Sequence, residues 1–429
     1  MRAGMFQSLF FELPRVRRLM NTMADGPRKQ CSLIVLTKPQ DDRDEIMEHL
    51  EICLEKSADT ERLDLTTLDC DQPIPFILGN LYGVQWSSST GPFMMNSLAH
   101  LIGLPSILFL EGFERLKIDH RSKWLDFLEQ WAQHTHTALD AGERSTAFIL
   151  VVPNASMTKL PKTSIALSLN WWWGLPSVLE TRQLCRLLQD IGIEDNYLQL
   201  LWKENVLPAI VGDDLPLAEY LWDHSSSEME ALESGLLAYA EHMGWDRLLL
   251  QIKGVTESLA ATLKKERSDL SCPPQLWRAL WSEGLISWTA EYGAEIHIAA
   301  AAVLGWKEEL QHRIWRGQAQ LLLPMVDSLR LALCDRLARD YGKDWPFKYQ
   351  EPADAEQKEK VRQSPLACEW GHMQYLLNTC HYFKNSRQFI PTVRLAREIR
   401  NDLAHYQPIG FSAYSQFCRE YQSKVRNVL

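Results

Sequence analysis

The feature that most constrains this chain is a series of short, almost wholly apolar segments spaced by helix-forming stretches, confined to the part before Gly174. Ser32–Thr37 (SLIVLT), Ser106–Glu111 (SILFLE), Ala147–Val152 (AFILVV) and Ile165–Asn170 (IALSLN) each read as a strand, and Arg62–Leu68 as a further one. Asp44–Lys56, Asn96–Ile102 and Trp124–Leu139 have helical spacing. A strand that is apolar on both sides needs cover on both faces, so residues 30–174 predict an α/β domain on a parallel sheet. Ahead of it, residues 1–29 place Arg15, Arg17, Arg18, Arg28 and Lys29 around a Pro and a Gly and read as a solvated N-terminal extension.

Beyond Gly174 no further strand is expected. Residues 175–270 read as successive helices forming a lid or linker domain, with Trp202, Trp222 and Trp245 as packing anchors. Ser271-Cys272-Pro273-Pro274 reads as a linker. Residues 275–429 predict a second helical domain, with 275–342 and 364–425 helical and the charged stretch Asp344–Gln363 a solvated loop.

Composition narrows the function classes. The 429 residues are 46% hydrophobic, enough for two or three domains with real cores. The net charge of −10 is wrong for a generic nucleic-acid binder, so any such contact must be local. Nine scattered cysteines with no C-x-x-C pair predict reduced thiols and a cytoplasmic location. The apolar runs Ile107–Leu110 and Phe148–Val152 are too short to span a bilayer, so no membrane association is expected. Met5–Phe11 is interrupted by Gln7 and Ser8, and no secretory signal is expected there. Sixteen tryptophans predict large anchors in cores and protein interfaces. Trp171, Trp172 and Trp173 are adjacent and, if extended, alternate in direction. They either serve two core faces or leave one ring for a partner.

The order of strands and helices, followed by a helical lid, resembles the AAA+/STAND class of P-loop ATPases over about residues 30–250. In that class the third strand ends in acidic residues that hold magnesium and activate water, and Ile107–Glu111 is similar to it with a single Glu111. The first strand should run into G-x-x-x-x-G-K-[ST], whose glycines let backbone N–H groups cradle phosphates. Leu36-Thr37-Lys38-Pro39-Gln40-Asp41-Asp42 stands there instead, without glycine and with two carboxylates that repel a triphosphate. The one Gly-Lys pair, Gly342-Lys343, lies in the helical half. The expectation is a degenerate P-loop domain with no cofactor and no ATP hydrolysis.

In the C-terminal half, Arg400-Asn401-Asp402-Leu403-Ala404-His405 fits R-x4-H with a polar residue directly after the arginine. Phe389, Val393, Ala396, Ile399 and Leu403 form a core-facing stripe beside it. Helical segments flank it, and Pro408 deflects the chain soon after. This resembles the HEPN family (higher-eukaryote and prokaryote nucleotide-binding helical domains) over about residues 290–425. The resemblance implies metal-independent RNA cleavage, with His405 as acid–base, Arg400 as phosphate clamp and Asn401 as a polar support. Positions five apart on a helix differ by about 140° in direction. Both side chains reach one phosphate only if the helix breaks between them or two protomers share a site, and the family uses dimers. A second match, Arg115 to His120, lacks this setting. His134 and His136, and Cys380-His381 with His372, lack metal-ligand spacing, so no metal is expected.

Two functions fit. One is a regulated endoribonuclease of a prokaryotic defence or toxin system: a degenerate ATPase-like sensor with a HEPN effector, RNA as substrate, and a homodimer or higher oligomer. The other is a non-catalytic scaffold subunit that docks partner proteins. The missing phosphate loop and the tryptophans favour the second, and the intact Arg-Asn…His motif favours the first.

Overall fold

In the computed structural model, residues 5–54, 59–83, 104–191, 197–224, 228–265, 272–352 and 354–427 are described. The helix expected at Asn96–Ile102 lies outside them. The chain divides into two compact units, one of residues 1–180, 212–219 and 251–297, the other of 181–211, 220–250 and 298–429.

The first unit is α/β. Its strands are β1 (Ser32–Thr37), β2 (Thr60–Asp64), β3 (Ile107–Glu111), β4 (Ala147–Pro153) and β5 (Leu167–Trp171). They form one parallel sheet in the order β2-β3-β4-β1-β5, with Leu33 opposite Ile149 and Ile34 opposite Leu169. All six residues of β1 are buried, as a central strand covered on both faces requires. The polar strand TERLD stands at an edge, where charge discourages further pairing. From β1 the chain crosses towards β2 through the helix Arg43–Leu54, whereas from β4 it turns the other way to β5. Neighbouring strands whose connections leave in opposite directions open a crevice at their carboxyl ends. Here that crevice lies where β1 runs into Lys38.

Two expectations change in this unit, and one left open is decided. The N-terminal segment is not a solvated arm. Pro14–Arg28 is a helix that buries Val16, Met20, Met23 and Ala24 against the helix Arg43–Leu54 and the sheet. The arginines occupy its other face, where Arg15 pairs with Glu180 at 3.1 Å. Strands also recur after Gly174. Ile286–Thr289 (β6) and Gly293–Ile296 (β7) make an antiparallel hairpin, four residues a strand, too short to register against the helices around it. The tryptophan triplet, finally, serves two core faces. Trp172 meets Phe10 and Phe11, while Trp171 and Trp173 turn to Trp281, and Trp173 stacks on Trp288 of the hairpin at 5.5 Å. Gly174 has φ +69°, and a Cβ there would lie 2.3 Å from the Trp288 ring, so the stack depends on glycine.

The second unit is helical. Its spine is Lys307–Tyr341, a helix of 35 residues packed on Tyr197–Val211. Gly317 permits their close approach, because a Cβ there would lie 2.6 Å from the Cα of Val206. Arg313, fully buried, and Arg316 donate to the carbonyls of Ile210 and Ala209, satisfying the end of that helix. Trp202, Trp222 and Trp245 are buried as expected. Asp344–Gln363 is not simply a solvated loop: Trp345 is fully buried and Ala355–Gln363 is a helix capped by Asp354. Among the described residues no helix is long and apolar enough to cross a membrane.

Candidate functional site

At the carboxyl end of β1 the crevice is filled by the chain's own charges. Lys38, 1% exposed, places its Nζ 2.8 Å from Asp213 Oδ1 and 3.1 Å from the Asp213 carbonyl oxygen. The Lys38 backbone N–H donates to Asp41 Oδ2 at 2.8 Å. Asp42 accepts from the backbone N–H groups of Asp44 and Glu45 at 3.1 Å, capping the helix Arg43–Leu54. A phosphate at this edge would use these backbone donors and this ammonium. Carboxylates of the same chain already hold them. Alongside, a recess lined by Phe10, Phe11, Asp41, Asp42, Asp213 and Trp172 holds about 20 Å³, room for little more than one water molecule.

The acids come from a turn after Gly212 (φ +68°). Asp214 caps the helix Leu215–His224 through Leu217 N–H at 2.9 Å and contacts His297 Nε2 at 2.9 Å. Gln40 Nε2 donates to the carbonyl of Gly284, where any side chain would collide with Gln40. Burial opposes the Lys38 ammonium, but Asp213, Asp41 and Asp214 outweigh it and hold its pKa above the ordinary lysine value. Burial likewise opposes ionised Asp214, yet the His297 hydrogen bond holds its carboxyl below the usual range. Asp41 goes the other way: burial pushes it up to about 7, against Lys38 and the Lys38 N–H.

A pH dependence follows. With its folded pKa near 7 and an ordinary value of 3.8, Asp41 keeps its proton in the folded state across that interval. The folded state then binds more protons than the unfolded one, so stability falls as pH rises from about 4 to about 7. Asp214 acts in the opposite sense, but below this window. Urea denaturation at pH 5.5 and 7.5 should show a smaller loss for Asp41→Asn than for the wild type. Glu45, also raised to about 7, leaves a residual slope. Equal losses in both proteins would refute the assignment.

Glu111 ends β3 as the sequence suggests, but in an ionic chain: Arg62 reaches Glu111 Oε1 at 3.1 Å and Glu51 Oε2 at 2.5 Å. Among the described residues no three His, Cys, Asp or Glu side chains group to hold a metal ion. The second match comes apart: Arg115 pairs with Asp64, and His120 Nε2 is hydrogen-bonded to Asp71 at 3.1 Å.

The second region belongs to the helical unit. Ile390–Ala404 is one helix, with Val393, Ala396, Ile399 and Leu403 buried and Arg400 and His405 exposed. It does not break between the two. It stops after Ala404, so His405 is its C-cap, its N–H bonded to the carbonyls of Asn401 and Asp402. The Arg400 guanidinium donates to Asn401 Oδ1 at 3.4 Å. The backbone is held firmly around these exposed side chains. Trp315 Nε1 donates to the Leu403 carbonyl at 2.6 Å, and Gln318 exchanges two hydrogen bonds with Ile409 at 2.8 and 2.9 Å.

Tyr406 and Gln407 close the helix by bonding back to the carbonyls of Leu403 and Asp402. This is a Schellman ending, with Tyr406 at the left-handed position that glycine usually takes. Its φ is +60°, a conformation that costs a side-chain-bearing residue roughly 1–2 kcal/mol. Tyr406 is 66% exposed, and its ring centroid lies 4.7 Å from that of Trp315. No protein-family model matches this chain, and no curated protein is similar enough to lend it a function.

Proposed function

We propose that the chain is a metal-independent endoribonuclease of the HEPN type in a prokaryotic defence or toxin system, with the α/β domain a P-loop-like sensor that does not hydrolyse ATP. The supporting observation is that Arg400 and His405 are exposed at a helix end whose backbone is anchored by Trp315 and Gln318. Among the described residues, the side-chain hydrogen bond seen for this pair is that of Arg400 with Asn401. An unbroken helix directs the two side chains apart, so one phosphate meets both only between two copies of the chain.

At such a composite site His405 accepts the proton of a ribose 2′-hydroxyl. The 2′-oxygen attacks phosphorus, the bond to the 5′-oxygen breaks, and that oxygen takes up a proton. Arg400, oriented by Asn401, offsets the charge that develops on the phosphate. The products are a 2′,3′-cyclic phosphate and a 5′-hydroxyl. The test is incubation of the purified protein with labelled single-stranded RNA in excess EDTA. Fragments ending in cyclic phosphate are expected, and intact RNA in that assay would sink the reading. A scaffold subunit is the second reading, favoured by the crevice at β1 being closed by Lys38 and Asp213.

A further inference from the structure

We propose that Trp315 and Tyr406 form a stacking platform for one unpaired base of a single-stranded RNA, seating the nucleotide beside the phosphate shared by His405 and Arg400 of a second copy. This rests on the ribonuclease reading and deepens it by specifying how the substrate is gripped. Three observations converge on the platform. The plane of Trp315 is fixed, since its Nε1 donates to the Leu403 carbonyl and its ring stacks on His312 at 5.2 Å and 29°. Tyr406 lies against Trp315 with ring centroids 4.7 Å apart and the planes tilted by 50°, and the residue is 66% exposed. And Tyr406 directly follows His405 in the chain, on the turn that ends the helix carrying Arg400.

The backbone of Tyr406 makes the case sharper. A helix ending of this geometry is satisfied by glycine, and a bulky residue with positive φ marks a position held for something other than backbone comfort. A residue packed for stability would be buried, and Tyr406 is 66% exposed. Unpaired bases bind on such exposed aromatic faces whatever their sequence, next to cations that take the backbone. The cations are local, as the overall charge of −10 demands: Arg394, Arg397 and Arg400 are all exposed along the same helix. A duplex would present no free base face, so the platform selects single strands.

The experiment uses the full chain carrying His405→Ala, so that RNA is bound without being cut, and a fluorescein-labelled unstructured RNA read by anisotropy. Adding Tyr406→Gly should weaken binding roughly ten- to a hundredfold, the usual effect of one stacked base. The melting temperature should hold or rise, because glycine relieves the positive φ. Tyr406→Phe, which keeps the ring, should bind like the parent. An RNA of the same length with abasic sites should bind the parent as weakly as intact RNA binds the glycine variant. Unchanged affinity in Tyr406→Gly, a phenylalanine variant as weak as the glycine one, or a marked drop in melting temperature would each overturn the platform. If wild-type cleavage persists in such a case, the ribonuclease reading stands without it. If the parent binds no RNA and the wild type cuts none, both fall together.

Discussion

Lys38→Met is expected to lower the stability of the α/β unit by about 3–5 kcal/mol, the usual cost of stranding a buried charge. The ammonium sits 2.8 Å from Asp213, and both side chains are at most 2% exposed. Removing it leaves Asp213 beside Asp41 and Asp214 without its ammonium partner. Pairing Lys38→Met with Asp213→Asn should recover part of the loss, since removing both partners of a buried pair is far milder than removing one. Urea denaturation of the three proteins measures both effects. A single variant within about 1 kcal/mol of the wild type would show that the pair does not lock the crevice.

His405→Ala should leave the melting temperature nearly unchanged, because the side chain is exposed and its N–H bonds persist in any residue. RNA cleavage should nevertheless fall roughly 10²–10⁴-fold, the range for loss of a general acid–base. Arg400→Ala should lose about 10²–10³-fold, as for an oxyanion donor. His120→Ala, on its surface pair with Asp71, should cut normally. Mixing the two inactive variants tests the shared site. A mixed dimer unites His405 of one copy with Arg400 of the other at one of its two sites. With half the dimers mixed, roughly a quarter of wild-type activity should return. No recovery on mixing would refute a composite site, and full activity in either single variant would end the catalytic reading.

What could be read in the sequence followed the strength of its periodic signals. β1, β3 and β4 are almost wholly apolar, as covered parallel strands require, and they appear within a residue or two of where SLIVLT, SILFLE and AFILVV put them. The N-terminal helix was hidden by its arginines: Val16, Met20 and Met23 have helical spacing, but basic residues in a row draw the eye to solvent. The β6–β7 hairpin offered only four residues a strand, below what alternation can establish. Lys38 and Asp41 were visible as misfits for a phosphate loop. That Asp213 and Asp214 would complete a closed charge group could not be seen, since a contact across 175 residues leaves no local trace. The position of Arg400 and His405 on a helix was legible. The left-handed Tyr406 was not, because nothing in its neighbours calls for that turn where glycine is absent.

The lock on β1 also has a timetable. Its parts leave the ribosome far apart: Lys38 early, Asp213 much later, and His297 and the β6–β7 hairpin only at the end of the unit's third segment. At ordinary rates of synthesis, on the order of tens of seconds separate the first from the last. During that interval Lys38 has only its near neighbours Asp41 and Asp42 beside it in the chain. Its salt-bridge partner Asp213 comes with the second segment, and the His297 contact of Asp214 comes with the third. The charge group at β1 is therefore complete only when the last part of the unit has been made.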